Sequence, residues 1–95
     1  MIHLGIDPGK QGALVAIFPN DEIRKFVVPT INKEYDKAKM LNILQDIFNE
    51  KSNHGGIHLC LENINGHSAM GRSGAFVMGI GKGLWEMAVM AIGIP

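Results

Sequence analysis

Two carboxylates in this chain occupy matching positions. Asp7 closes the alternating run Ile2-His3-Leu4-Gly5-Ile6, and Glu62 closes Ile57-His58-Leu59-Cys60-Leu61 in the same way. Runs with a period of two read as strands, so each carboxylate falls at a strand end. If the two strands are parallel neighbours about 4.8 Å apart, both carboxylates emerge at one sheet edge and can chelate one cation from two sides. Hard carboxylate oxygens select Mg²⁺ or Mn²⁺, and neither His nor Cys lies at the same strand end to favour zinc. An ion held there polarises a phosphoryl oxygen and can activate water for in-line attack on a phosphodiester. The plain alternative is two unrelated carboxylates at ordinary turn positions. Asp7-Pro8-Gly9-Lys10-Gln11-Gly12 is a tight turn through which backbone can approach a phosphate, or which simply closes a hairpin.

Other chemistry-bearing side chains are weaker candidates. His3 and His58 share strand parity with the carboxylates but lie four residues back, about 13 Å away. That is too far for the same ion, and they read as core or surface histidines. Cys60, two residues before Glu62, is expected to act as a small apolar residue on a buried strand. Lys33, Lys37 and Lys39 are interrupted by Glu34 and Asp36 and read as a solvated face.

The elements that must position the carboxylates follow from patterning. Residues 2–7, 13–18 and 23–28 read as three strands joined by the Pro8-Gly9 and Pro19-Asn20-Asp21 turns, an antiparallel meander. Arg24 and Lys25 suit a sheet edge, where charge discourages stray pairing. A helix follows, with Met40, Leu41, Leu44, Ile47 and Phe48 as its apolar stripe, Asp36 as N-cap and Gly55-Gly56 as exit. A fourth strand over 57–62, placed after a helix, implies a crossover and parallel pairing. Residues 63–72 read as a polar loop and 73–92 as a second helix.

That helix is apolar nearly all round. Phe76, Ile80, Leu84, Met87 and Ala91 share a face, with Val77, Trp85, Val89 and Ile92 elsewhere. Gly79, Gly81 and Gly83 each cost about 1 kcal/mol relative to Ala, and such glycines persist mainly where another backbone comes close. Gly79-x-x-x-Gly83 also fits a membrane helix. Against that, Lys82 and Glu86 would each cost about 2.5–3.5 kcal/mol in lipid, whereas at i, i+4 they can pair on a surface helix. The expectation is a helix packed between the sheet and a second subunit, and no membrane partner.

Composition bounds the classes. The chain has 95 residues, of which 46% are apolar, enough for one domain with a core and too short for two. Nine basic residues balance nine acidic ones, so global charge advertises no nucleic-acid partner, although local patches decide the field at a site. The single cysteine excludes an internal disulfide framework and fits a reducing compartment. The opening residues lack a signal peptide's pattern, so a cytoplasmic location is expected.

At this point the motifs become recognisable. Gly5-Ile6-Asp7-Pro8-Gly9-Lys10-Gln11-Gly12-Ala13 resembles the first-strand motif of RuvC-like Holliday-junction resolvases, which have a ribonuclease H-like fold. Leu61-Glu62 with a following Gly/Ser loop, then Gly74-Ala75-Phe76 and the glycine-studded helix to Gly93-Ile94-Pro95, looks like the phage-type branch. The likeness runs through all 95 residues in matching order.

The resemblance implies a homodimeric, Mg²⁺- or Mn²⁺-dependent endonuclease that cuts branched DNA in recombination and repair. Asp7 and Glu62 map to its catalytic metal-binding Asp and Glu. Lys10, His67, Ser68 and Arg72 become candidates for DNA contact, since basic and hydroxyl side chains bind phosphate oxygens without reading sequence. Gly79, Gly83, Leu84 and Met87 become candidates for the dimer contact. The family also uses acidic residues on a helix after a fifth strand, which this sequence does not contain. It places an aromatic residue just after the Glu, where Asn63, Ile64 and Asn65 stand here. The expected fold is therefore a ribonuclease H-like α/β domain truncated before its fifth strand, with weak or no cleavage by these 95 residues alone. Two alternatives stay open: a catalytically silent DNA-binding or dimerisation remnant, and a lobe of an ATPase or sugar kinase. The latter proteins share the ribonuclease H-like core and a Gly-Ile-Asp-x-Gly turn but need two lobes.

Overall fold

A computed structural model of the chain describes residues 1–61 and 71–94, with the side chains of 52, 71–75 and 78 outside the description. Its order is β1 (Ile2–Ile6), β2 (Ala13–Ile17), β3 (Ile23–Val27), β4 (Thr30–Ile31), β5 (Glu34–Tyr35), α1 (Lys37–Asn49), a 3-10 turn (Lys51–Asn53), β6 (Ile57–Leu61) and α2 (Gly71–Ile92). The chain is an α/β protein with a mixed four-stranded sheet and two helices.

The sheet order is β3-β2-β1-β6. β1 pairs antiparallel with β2, and β2 with β3, which is the expected meander. β6 pairs parallel with β1 in the register Ile2↔Ile57 to Ile6↔Leu61. Parallel pairing needs a long crossover, and α1 supplies it.

Alternation sets the faces. Ile2, Leu4, Ile6, Leu14 and Ala16 are buried, while His3, Ile17, Ile23, Val27, His58 and Cys60 are exposed. Both helices contribute to the one core cluster, through Met40, Ile43, Leu44 and Ile47 of α1 and Trp85 and Val89 of α2. They therefore cover the same side of the sheet, and the other side is bare among the described residues. This corrects two expectations. Cys60 is exposed and not a core residue, because it shares the parity of His58 and not that of Ile57. In α1, Leu41 is 42% exposed and Ile43 is buried instead, since the buried arc is turned away from Leu41 toward Ile43.

The helix ends are well specified. The Asp36 carboxylate accepts from the Lys39 backbone N–H at 3.1 Å, the N-cap expected from sequence. α1 ends at Asn49, capped by Glu50, earlier than the expected exit at Gly55-Gly56; those glycines, with φ of +79° and +107°, make the turn into β6 instead. α2 begins at Gly71, so residues 71 and 72 are helical where a loop was expected. It stops at Gly93, φ +93°, where the Ile94 N–H reaches back to the Val89 carbonyl and that of Gly93 to Met90. This is a Schellman cap.

The β4–β5 hairpin was not expected. Thr30 pairs with Tyr35 and Ile31 with Glu34, leaving Asn32 and Lys33 as a two-residue turn with φ of +51° and +65°. Two positive φ values match a turn of type I′. Asn-Lys in place of Asn-Gly hides that turn in the sequence.

Candidate functional site

The site is built on the turn between β1 and β2. The backbone N–H of Asp7 donates to the Ala13 carbonyl at 2.9 Å, and that of Gly12 to the Gly9 carbonyl at 2.9 Å. One carboxylate oxygen of Asp7 lies 3.4 Å from the Gly9 N–H, a weak Asx-type contact within the turn. A Cβ on Gly12 would run into the backbone carbonyl of Asp7, so the turn closes only with glycine there. Asp7 itself is exposed.

Two other elements, the β4–β5 hairpin and α2, fix this turn in place. Pro8 is buried, and its carbonyl accepts from the Tyr35 hydroxyl at 3.1 Å. The same hydroxyl lies 3.0 Å from the Val77 carbonyl in α2, so one phenol proton serves two backbone acceptors. Gly81 of α2 passes so close that a Cβ would meet both the Pro8 carbonyl and the Tyr35 hydroxyl. The Lys10 ammonium donates to the Lys33 carbonyl at 2.5 Å and stands 5.8 Å from the centre of the Tyr35 ring. The hairpin thus holds Lys10 beside the carboxylate turn.

The electrostatics follow from this packing. Burial pushes the Tyr35 phenol above its ordinary pKa, and the Asp7 carboxylate adds to the shift. A phenolate there would be both poorly solvated and repelled by Asp7.

The candidates from sequence separate into three groups. Asp7 and Lys10 share the β1–β2 turn. Glu62, His67 and Ser68 lie outside the described residues, and Arg72 is in the first turn of α2 with its side chain outside the description. Gly79, Gly83 and Met87 are exposed on α2 and Leu84 is half-buried. Gly81 makes the close backbone approach, whereas Gly79 and Gly83 have no atom within 4 Å of a built Cβ. The core-facing side of α2 is Gly81, Trp85 and Val89. Its outward stripe runs Phe76, Ile80, Gly83, Met87 and Met90, with Phe76, Met87 and Met90 all more than 65% exposed. Lys82 and Glu86 pair at 3.4 Å across one helical turn, as the spacing suggested.

Sequence reasoning missed Tyr35, which organises the site. One signal could have found it. Tyr35 precedes the Asp36 cap and Met40 follows four residues after it, the positions of a hydrophobic staple, and both are buried.

Among the described residues, no three His, Cys, Asp or Glu side chains converge as a metal site. The exposed Asp7 carboxylate, with one long hydrogen bond, retains oxygen capacity for a hard cation. No helix among the described residues is long and apolar enough to cross a membrane. No protein-family model matches the chain, and no curated protein matches it.

Proposed function

We propose that the chain carries the first half of a RuvC-like, ribonuclease H-like nuclease site, in which Asp7 and Glu62 together bind Mg²⁺ or Mn²⁺ beside the phosphates of branched DNA. The observation that carries this reading is the parallel register Ile6↔Leu61. Asp7 follows Ile6 and Glu62 follows Leu61 in sequence, so each carboxylate residue is next in the chain after one of two register-paired strand ends. A meander with a parallel fourth strand is also the core that the motif resemblance implies.

A bound Mg²⁺ would supply Lewis-acid polarisation of a phosphoryl oxygen. The chain's own residues hold and aim. Asp7 offers an exposed carboxylate on a turn clamped by Tyr35 and Gly81, so little ordering is left to do when a ligand arrives. Lys10, held at that turn, lowers the local negative potential for an approaching phosphate. Two carboxylates make a weak Mg²⁺ site, since the ion keeps several waters and relies on phosphate oxygens. Cleavage by these 95 residues is accordingly expected to be very slow or undetectable, while binding persists.

The outward stripe of α2 supports a homodimer. Phe76, Ile80, Gly83, Met87 and Met90 alternate steps of four and three residues, the spacing of a helix–helix seam. Exposed apolar surface of this kind marks an interaction site.

A Mn²⁺ titration followed by NMR tests the metal, and a labelled four-way junction beside linear duplex tests the DNA. Paramagnetic broadening should centre on Asp7 and its neighbours and fade in Glu62→Gln. The junction should bind better than duplex, with affinity falling steeply with salt as counterions are released. Broadening indifferent to Glu62→Gln, or equal affinity for both DNAs, overturns the reading.

A further inference from the structure

The two edges of the main sheet differ in chemistry. β3 closes one edge and carries Arg24 and Lys25, charges of the kind that discourage pairing with another strand. β6 closes the other, and its residues Ile57-His58-Leu59-Cys60-Leu61 include no Asp, Glu, Lys, Arg or Pro. Among the described residues, no strand pairs with its outer edge. The row of backbone N–H and C=O groups there is open to an added strand.

The core side of β6 is incomplete as well. Ile57 is buried, but Leu59 and Leu61 on the same side are only half-buried. Between them and α2 lies an apolar groove of about 410 Å³, walled further by Gly83, Met87, Met90 and Ile94. Glu86 also lines it and is paired with Lys82 at 3.4 Å. On its other flank α2 turns Leu84 and Ala88 toward Met40 and Leu41 of α1. The groove thus lies over β6, on the flank of α2 away from α1.

We infer that a second copy of this chain fills this place, the two β6 strands pairing antiparallel about a two-fold axis near Leu59. The pairing joins two four-stranded sheets into one continuous sheet. Three observations select a second copy as the occupant. Gly83, Met87 and Met90 belong both to the groove and to the outward stripe of α2, so strand edge and helix seam form one surface. The stripe alone falls well short of the about 20–30 residues a side of a standard interface, and β6 with Ile94 widens it. Neither β6 nor the stripe contains a charged residue, so self-pairing brings no like charges together, as pairing β3 with itself would. A two-fold pairing also consumes the open edge, so assembly closes at the dimer. This arrangement rests on the homodimer reading above and gives that dimer its geometry.

Hydrogen exchange read by NMR, beside sedimentation of the full chain, tests the strand pairing. As the dimer forms at rising concentration, amides within 57–61 should gain protection, and those of 23–27 on β3 should not. The double variant His58→Lys/Cys60→Lys sets lysine opposite lysine across an axis at Leu59. Both positions are exposed, so circular dichroism should match the parent while dimer affinity falls by about tenfold or more. Ile17→Lys, at an exposed position on the interior strand β2, should leave the affinity unchanged. A dimer whose β6 exchange is independent of concentration, or which withstands the double variant, overturns the strand pairing and leaves the helix contact standing. A monomer at high micromolar concentration overturns both.

Discussion

The carbonyl oxygen of Pro8 occupies the space that a side chain on Gly81 would need. This single approach joins α2 to the residue immediately after Asp7, so the long helix and the carboxylate turn form one unit. The Tyr35 hydroxyl closes the same junction from the hairpin side. Anything that moves α2 must therefore move the turn.

Gly81 and Gly79 of α2 should respond to substitution with opposite signs. Gly81→Ala forces a methyl against a carbonyl and a phenol and should cost about 1–3 kcal/mol, the range for overpacking. Gly79→Ala meets open space and should gain up to about 1 kcal/mol from helix propensity. Urea denaturation followed by fluorescence of the fully buried Trp85 measures both. Equal effects would show that the Gly81–Pro8 approach is not real.

Tyr35 is the sole tyrosine of the chain, so its titration can be read by absorbance alone. Burial and Asp7 both raise its pKa, and the midpoint should lie above the ordinary value of about 10. In the unfolded chain the phenol ionises first, so this contribution to stability is complete below about pH 10 and is lost as pH rises through the folded value. Asp7→Asn should lower the midpoint without restoring it fully, since burial is the larger cause. An unchanged midpoint in Asp7→Asn would place the carboxylate away from the phenol.

Arg24, on the edge strand β3, donates to Glu50 at the end of α1, with one nitrogen at 3.0 Å, and also to Glu22. The hydrogen bond from Arg24 holds the Glu50 carboxyl below the usual range. A depressed carboxylate stabilises the fold above its unfolded pKa, about 4.3, and that stability is lost as pH falls through the folded value. The stability gap between the parent and Glu50→Gln should therefore be present at neutral pH and shrink in acid. A gap that stays constant down to strongly acidic pH would mean that the pair contributes nothing to folding.

Self-association through the outward stripe of α2 should be visible by sedimentation at high micromolar concentration. Gly83→Leu has free space in the single chain, so it should leave the fold intact. Across a close helix–helix seam the added bulk should weaken association. A clean monomer in the parent protein rules out the interface.

For catalysis, a labelled junction with Mg²⁺ should be bound but cut undetectably or very slowly. Each tenfold loss in rate corresponds to about 1.4 kcal/mol of transition-state stabilisation, and a site with two carboxylates forgoes a second ion. Robust symmetric cleavage abolished by Asp7→Asn would show that two carboxylates suffice.

Local chemistry made much of the fold legible. Alternation at Ile2, Leu4 and Ile6 gave β1 and its buried face, since a period of two leaves no other way to hide three large apolar side chains. Asp36 marked the start of α1 because only a side-chain oxygen there satisfies an otherwise unpaired N–H. The helix after the meander implied a parallel β6, because strand direction follows from the length of the connection. Where several faces are apolar, patterning is mute. In α2 every side carries Leu, Ile, Val or Met, and only packing decided that Trp85 and Val89 face the core while Phe76 and Met87 face outward. The difference between Gly81 and its neighbours is likewise invisible in sequence, because it depends on the Pro8 carbonyl, 73 positions away in the chain. Tyr35 as the clamp on the Asp7 turn, and His3 beside His58, arise from the register of strands distant in sequence. Side-chain type sets what a residue can do, but only tertiary contact sets what it does it with.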